Sequence, residues 1–507
     1  MNAIKQSGKM VLLLSIIMAM FSLRSSSQEQ FRLSDYKNPD YRWQKLDLGF
    51  DLGGISMFSR KENEAGMNDR YISNSFDGSL NANYYATKNS VFYQGYQDFL
   101  FNGDFSSSSD NNKDLTNSQR NKEKYNKQHI ILDARTGNRF YNSKKQFAEI
   151  NFYFTGSLNN SLLKKSDDLE DLPYNHKTSN ISYNLRASLP LYIGIGRIEE
   201  VQDARLAVYI LDDLVKSGDL KRAPSSAETL ALAQFITQTK NKRHFDTRIR
   251  KIAEITAIDS FLTVLDLKAR SGASYYTLLN DNWDNANGPV RSSGGRFSIG
   301  LDPEIYLSFN ESKFFYYDTL NGSDVVEDYS SKNTSHTNSW GMDFITGYTW
   351  EKPVNLYWQH TINARLAYLL YHRKINQKYY AMDSLINDVE SEFNNPNLRL
   401  NLGYSIGYYP NSRTHFRLDL NSGYYMYWNE YIIDDQPITE EDRSVISNAI
   451  NLSCYYYISP QLRFSLFISS NYSFTMQKQE LPDDINGEET RHNLQNNIGA
   501  SLTYSIF

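Results

Sequence analysis

The ionisable side chains that could do chemistry in this chain are strung out singly at even spacings. Asp47 and Asp51 stand four apart, and Asp133 and Arg135, Asp302 and Glu304, and Arg417 and Asp419 stand two apart. Spacings of two and four keep side chains on one face of a β-strand. Extending that phase collects Asp47, Asp51, Asp77, Asp133, Glu149, Asp302, Glu304 and Asp419 on the polar faces of successive strands. It collects Arg135, Arg186, Arg365, Arg399, Arg417 and Arg463 there as well. The acids sit mostly on the first eight strands and the arginines mostly on the last six. Closing the strands into a tube would set a carboxylate wall against a guanidinium wall, and such a transverse field orients dipolar solutes in a water-filled pore. The competing expectation is that these groups pair across the lumen and stiffen it.

Catalytic chemistry finds little support, and the expectation is a non-enzyme. The eight histidines are scattered, no His-Glu-x-x-His pair occurs and no Gly-x-Ser-x-Gly elbow is expected. His360 is the residue a lipid-modifying barrel enzyme would use: its phase turns it toward lipid, and a turn at Glu351 to Asn355 would set Thr346 opposite it. The plainer expectation is a belt histidine with one hydrogen bond. Cys454 is the only cysteine, so an internal disulfide and a cysteine zinc site are excluded. No residue qualifies as a metal ligand and no cofactor is expected. The Gly194 and Gly196 pair lacks the third glycine and the Lys-Ser or Lys-Thr of a phosphate cradle.

These side chains need long strands to carry them. Leu494, Ile498, Ala500, Leu502, Tyr504 and Ile506 share one face of the last segment, and Gln495, Asn497, Gly499, Ser501, Thr503 and Ser505 share the other. Aromatic residues make up 14% of the 507 residues, with 38 Tyr, which suits strands with aromatic ends. Strands longer than those of a soluble sandwich, greasy on one face and wet on the other, indicate an all-β, antiparallel transmembrane barrel. Tight turns alternating with long polar loops give about 16 strands, beginning near residues 45, 73, 90, 127, 146, 179, 272, 295, 313, 337, 356, 396, 415, 443, 462 and 491. An even number sets both termini on the periplasmic side. The tight turns include Asn310 to Lys313; the long loops include 107–125 and 375–395.

Between Gly196 and Lys268 the period changes from two to near 3.6, which predicts three helices inserted between two barrel strands. Val201, Ala204, Val208, Leu211 and Val215 form one stripe; Phe245, Ile249, Ile252, Ile255, Ile258, Leu262 and Leu265 form another. Ser225 and Glu228 spell a capping box for the helix between them. Strands resume at Ser274 to Leu279. At the entry to the insertion Arg197, Glu199, Glu200, Asp203 and Arg205 are candidates for a plug or docking surface. The competing expectation is a self-contained periplasmic unit with a solvated face.

The first thirty residues read as an address: Lys5 and Lys9, an apolar run from Met10 to Phe21, then Ser25, Ser26 and Ser27. This is the pattern of a secretory signal peptide, with Gln28 as mature start. The organisation expected is a signal peptide at 1–27, a periplasmic segment at 28–44, barrel strands at 45–196, the helical insertion at 197–268 and barrel strands at 269–507. No apolar run after the leader reaches the roughly 20 residues of a spanning helix, and a net charge of −5 with no basic domain excludes a nucleic-acid partner.

The ending Leu502, Tyr504, Ile506, Phe507 resembles the C-terminal signal of outer-membrane barrels, with Phe507 one residue out of phase. The long aromatic, Asn-rich strands resemble Bacteroidetes-type outer-membrane proteins of porin-like kind. The resemblance implies a Gram-negative outer membrane, with membrane lipid and the barrel-insertion machinery as partners and a periplasmic protein as a further partner for the helices. The function expected is a channel passing small polar solutes. The alternatives are a plugged barrel for polymer export, adhesion or periplasmic assembly, and a lipid-modifying enzyme.

Overall fold

The computed structural model describes residues 31–62, 68–114, 119–168, 174–242, 247–285, 290–318, 326–411, 413–433, 436–458, 462–480 and 487–504. The expected signal peptide and the terminal Ile506 and Phe507 lie outside them. The strands are β1 (Tyr41–Glu62), β2 (Asn68–Ser90), β3 (Tyr93–Asp114), β4 (Gln119–Tyr141), β5 (Gln146–Asp168), β6 (Tyr174–Ser188) and β7 (Leu191–Glu200). Helices α1 (Gln202–Lys216), α2 (Ser226–Lys240), α3 (Thr247–Val264) and α4 (Ala273–Asn285) follow. The remaining strands are β8 (Ser292–Asp318), β9 (Val326–Pro353), β10 (Trp358–Ala381), β11 (Ser384–Asn394), β12 (Asn397–Tyr408), β13 (Thr414–Ile433), β14 (Gln436–Tyr457), β15 (Leu462–Glu480) and β16 (Gly487–Tyr504).

All sixteen strands belong to one antiparallel sheet taken in chain order, the expected number. They occupy fourteen positions around it, because β7 continues β6 and β12 continues β11. Each break falls at a proline, Pro190 and Pro396, which has no N–H for the ladder. The register on β5 and β8 is unchanged across the first break, and on β10 across the second. The proline carbonyls still pair, with Asn151 N to Pro190 O at 2.9 Å and Trp428 N to Pro396 O at 3.0 Å. The described residues of β1 and β16 share no ladder and form the two edges of the seam.

Two expected features are corrected. The strand expected at 272 is α4, in which Tyr275, Leu279 and Trp283 recur every fourth residue and are all buried. Six residues around Ser274 to Leu279 satisfy period two and period 3.6 about equally, and only the longer window separates them. The turn expected at Asn310 to Lys313 is continuous strand, with Asn310 opposite Ser335 and Lys313 opposite Lys332. The two strands expected there are the single β8, whose outer face at this height is polar: Glu311 pairs with Lys313 (2.8 Å) and Lys332 (3.2 Å). Among the described residues the insertion accordingly has four helices and runs from 201 to 291, not the three of 197–268.

Strand length accounts for the loops. A strand of 22 residues reaches roughly 75 Å, against an apolar band of about 25 Å in barrels of this class. The expected loops at 107–125 and 375–395 are therefore mostly hairpin: β3 pairs with β4 out to Asp114, and β10 turns into β11 through Met382 and Asp383. Both turn residues have positive φ (48° and 58°), the geometry of a tight two-residue hairpin.

One phase holds across every ladder. Leu48 (72% exposed), Ile193 (69%) and Ile498 (76%) point outward, and the positions between them point inward. A soluble barrel would not leave such a ring of aliphatic and aromatic side chains in water, and a membrane accepts it. The buried apolar core instead lies almost wholly in the helices, with Leu206, Ile210, Leu214, Leu232, Ile236 and Leu262 at 1% exposure or less. Of the first stripe expected on α1, Val201, Ala204 and Leu211 are buried and Val215 is exposed; Leu206, Ile210 and Leu214 outside the stripe are buried as well, because α1 is the central helix of the unit. On α3, Ile258 and Leu262 are buried, whereas Ile249 and Ile252 are exposed. No described helix is long and apolar enough to cross a membrane.

The α2 capping box forms as the sequence predicts. Ser225 Oγ accepts from Glu228 N (3.2 Å), and Glu228 accepts from Ser225 N (2.7 Å) and from Arg222. These donors depress the Glu228 carboxyl to about 2, Arg222 contributing most. Its contribution is complete above the ordinary glutamate range and is lost as pH falls toward about 2. Replacing Ser225 with alanine should cost the helical unit about 1 kcal/mol, read as a lower urea midpoint for its unfolding at neutral pH; an unchanged midpoint would remove the cap from the account.

Candidate functional site: a capped polar lumen

The inward face is set by register. Asp47, Asp51, Asp77, Asp133, Glu149, Asp302, Glu304 and Asp419 all fall on it, as do Arg135, Arg186, Arg365, Arg399, Arg417 and Arg463. Two opposed walls do not result. Arg135 pairs with Asp133 (2.8 Å), Arg186 with Glu304 (2.7 Å), Arg417 with Asp419 (2.8 Å) and Arg399 with Asp343. The first three pairs join residues two apart on one strand or close across neighbouring strands, and Arg399 on β12 reaches Asp343 on β9 over the intervening β10, so both the transverse field and the pairing across the lumen are corrected to short dipoles along the wall. Sequence reading missed Asp343, Arg139 and Arg296; the same phase, carried along β9, β4 and β8, would have found them. Arg463 lies 5.7 Å over the Tyr455 ring. Arg365 makes no ion pair among the described residues.

Two adjacent inward rows open a hollow in this wall. One runs Ser298, Gly347, Arg365, Asn401, Gly423, Ser447, and the next runs Arg296, Thr349, Asn363, Gly403, Asn421, Ala449. Glycine, serine and alanine leave room where larger side chains would meet, and a cavity of about 510 Å³ results. Tyr153, Tyr192 and Tyr425 border it, beside the Arg139–Glu149 pair (2.7 Å).

The helices lie at the mouth at which β1 begins and β16 ends. β7 runs past β5 there, paired with β8 alone, and the two strands have left-handed glycines at Gly196 (φ +102°) and Gly294 (φ +133°). A Cβ on Gly196 would stand 2.1 Å from Gly295 O, so the position requires glycine. Beyond it Arg197 donates to Val91 O (2.7 Å) and Asn89 (3.0 Å) and lies 4.9 Å over the Tyr141 ring, reaching β2 and β4 from β7. Glu199 accepts from Arg197 (2.6 Å) and from Asn38 (3.2 Å), which also donates to Glu200 O. Asp203 holds Lys240 (2.7 Å) and Thr237 (2.6 Å) inside the helical unit. The chain before β1 crosses beneath the mouth: its turn at Leu33–Asp35 lies near β8 and β9, halfway round the sheet, and Tyr36 bonds Thr237 at 2.5 Å. Burial raises the Tyr36 hydroxyl well above its usual range.

The latch on the far side of the mouth is Tyr409, in the turn after β12. Its ring takes Arg291 at 4.9 Å and Arg205 of α1 at 5.5 Å. Arg291 also donates to Asn355 O (2.8 Å), Trp358 O (2.8 Å) and Leu356 O (2.5 Å). Burial, with Arg205 adjacent, draws Arg291 down to about 10, so it stays charged at neutral pH. Arg413 and Asp281 of α4 complete the contact at 2.5 Å. The candidate plug residues thus lie against the mouth, and their contacts fall on its rim and turns.

His360 bonds Tyr404 Oη at 2.7 Å on the outer face, and its ladder partner on β9 is Lys352; Thr346 lies opposite Leu366, so the expected juxtaposition does not form. Gly403 to Gly407 spells Gly-x-Ser-x-Gly, contrary to the expectation of no catalytic motif, but it lies within β12 where a strand-to-helix elbow is required. Ser405 donates to Asp419, and His415 stacks between Tyr409 and Tyr455. Among the described residues no group of three His, Cys, Asp or Glu could hold a metal.

No family model and no curated protein matches the chain. Among solved structures it is similar to the translocator domain of the autotransporter NalP from Neisseria meningitidis, at 8% identity and TM-score 0.20, covering 78% of this chain and 88% of that one. It is also similar to the Pseudomonas putida toluene transporter TodX, at 10% identity and TM-score 0.19, covering 93% and 91%. A third is the beta domain of the Bordetella autotransporter BrkA, at 9% identity and TM-score 0.19, covering 82% and 100%. The class follows from the sheet itself: an outer-membrane antiparallel β-barrel with a polar interior.

Proposed function

We propose that this barrel is a channel for small polar solutes, closed at rest by its helical unit. The observation that carries the reading is a polar lumen with a helical unit held against the turns of one mouth. Fourteen strand positions leave an aqueous interior, where eight would be filled by side chains. Most of the short turns, the start of β1, the end of β16 and the helices share one mouth, so that mouth is read as periplasmic, with the outward apolar ring in contact with outer-membrane lipid. Folding by the barrel-insertion machinery and a periplasmic protein that displaces the helices belong to the same reading. It assigns the chain no catalytic step.

The ladder between β7 and β8 runs to Glu200 opposite Ser292, so a short Gly-Ser turn can replace 201–291 without breaking a strand. Planar-bilayer recordings should show a silent or rarely open intact protein and steady conductance from the shortened one. Equal conductance from both would free the helices of any gating role, and silence from both would sink the channel.

A further inference from the structure

The cavity differs from the rest of the lumen in its charge balance. Elsewhere on the wall Arg135, Arg186 and Arg417 each have a carboxylate on the same or a neighbouring strand, and Arg399 has one two strands away. Of the three arginines lining the cavity, only Arg139 is so paired, with Glu149. Arg296 and Arg365 have no carboxylate within ion-pair distance among the described residues. They flank β9 at Thr349 and Gly347, where no bulky side chain separates them from the hollow. Three arginines against Glu149 leave the lining residues with an excess of two positive charges, while Glu351 acts on Arg296 and Asp302 on Arg365 only from beyond ion-pair distance.

The other groups around the hollow suit hydroxyls. Asn363, Asn401 and Asn421 each offer a donor and an acceptor, and Ser298 and Ser447 add hydroxyls. Tyr153, Tyr192 and Tyr425 supply ring faces with a polar edge. The lining is poor in the aliphatic side chains that an apolar cargo would require. At about 510 Å³ the hollow is in the range that encloses a small molecule.

We infer that this cavity is a binding site for an anionic monosaccharide: Arg296 and Arg365 take the anionic group, the asparagines read the hydroxyls, and a tyrosine ring meets a sugar face. A carboxylate or phosphate can accept two parallel bonds from one guanidinium, which gives the site orientation as well as charge complementarity. The inference deepens the reading of the lumen as a solute path and rests on it.

Titration calorimetry of the full-length protein in detergent tests it with D-glucuronate, glucose 6-phosphate and D-glucose. Binding at equilibrium requires no conduction, so a protein silent in bilayers that binds an anionic sugar keeps the site and loses only the channel. At least one anionic sugar should bind tenfold or more tightly than glucose, the pair of anions telling carboxylate from phosphate. Arg296→Gln with Arg365→Gln should weaken that binding at least tenfold. Gly347→Leu, whose Cβ would meet Ser298 Oγ at an ordinary 3.4 Å, should block it by filling the hollow. Heat-modifiable electrophoretic migration checks that each variant remains a folded barrel. Glucose binding as tightly as the anions, anion binding unchanged in the double variant, or no binding by either anion would overturn the site.

Discussion

Replacing Arg291 with alanine is expected to unlatch the helices and raise the open probability of the channel about a hundredfold. Arg291 is 1% exposed and its guanidinium satisfies three backbone carbonyls of the turn between β9 and β10. Hydrogen bonds to a charged group contribute about 1.5–3 kcal/mol each, and acceptors left buried cost more than the bonds were worth. Water reaching the vacated space offsets part of that loss. A net of about 3 kcal/mol corresponds to roughly a hundredfold change in the closed-to-open ratio. Arg291→Lys keeps a charge but cannot serve three carbonyls in one plane, so it should fall between. Single-channel recording reads the effect directly. An open probability unmoved by Arg291→Ala, with the helices still folded, would mean that the latch lies elsewhere.

The second large effect is expected from Leu214→Ala on α1. Leu214 is fully buried among the apolar side chains of all four helices. Truncating such a leucine costs about 2–5 kcal/mol, a large part of what a unit of this size has. The helices should become sensitive to protease at temperatures where the wild-type unit resists. The barrel should persist, because its stability resides in ladders between strands and the helical core reaches the strands only near the mouth. Gel migration before and after heating, with limited proteolysis, separates the two. Loss of barrel and helices together would show one cooperative unit.

Much of the site's chemistry was legible because a barrel strand writes its environment into alternate residues. Every acid and arginine placed on the inner face by phase lies there by register, since a slip of one residue would turn a whole apolar row into the lumen. The entry residues of the insertion, Arg197, Glu199, Glu200, Asp203 and Arg205, were also marked by their density. What the pattern could not carry was pairing. Arg186 and Glu304 are 118 residues apart and touch because β6 and β8 are neighbours once the helices leave the sheet.

The sequence by itself determined the alternation, the apolar outer ring, the capping box at Ser225 and the change of period that marks the helices. Each is a local property, decided by which side of a strand or helix a residue occupies. Tertiary structure decided which charges cancel and which stay free, because that depends on registers between distant strands: Arg417 meets Asp419, while Arg365 meets Gly347 and Asn401. It also decided that Pro190 and Pro396 interrupt strands without ending them, since neighbours on both sides hold the register. And it decided that the helices are held against one mouth, because only the folded sheet brings Tyr409 to Arg205 and Arg291.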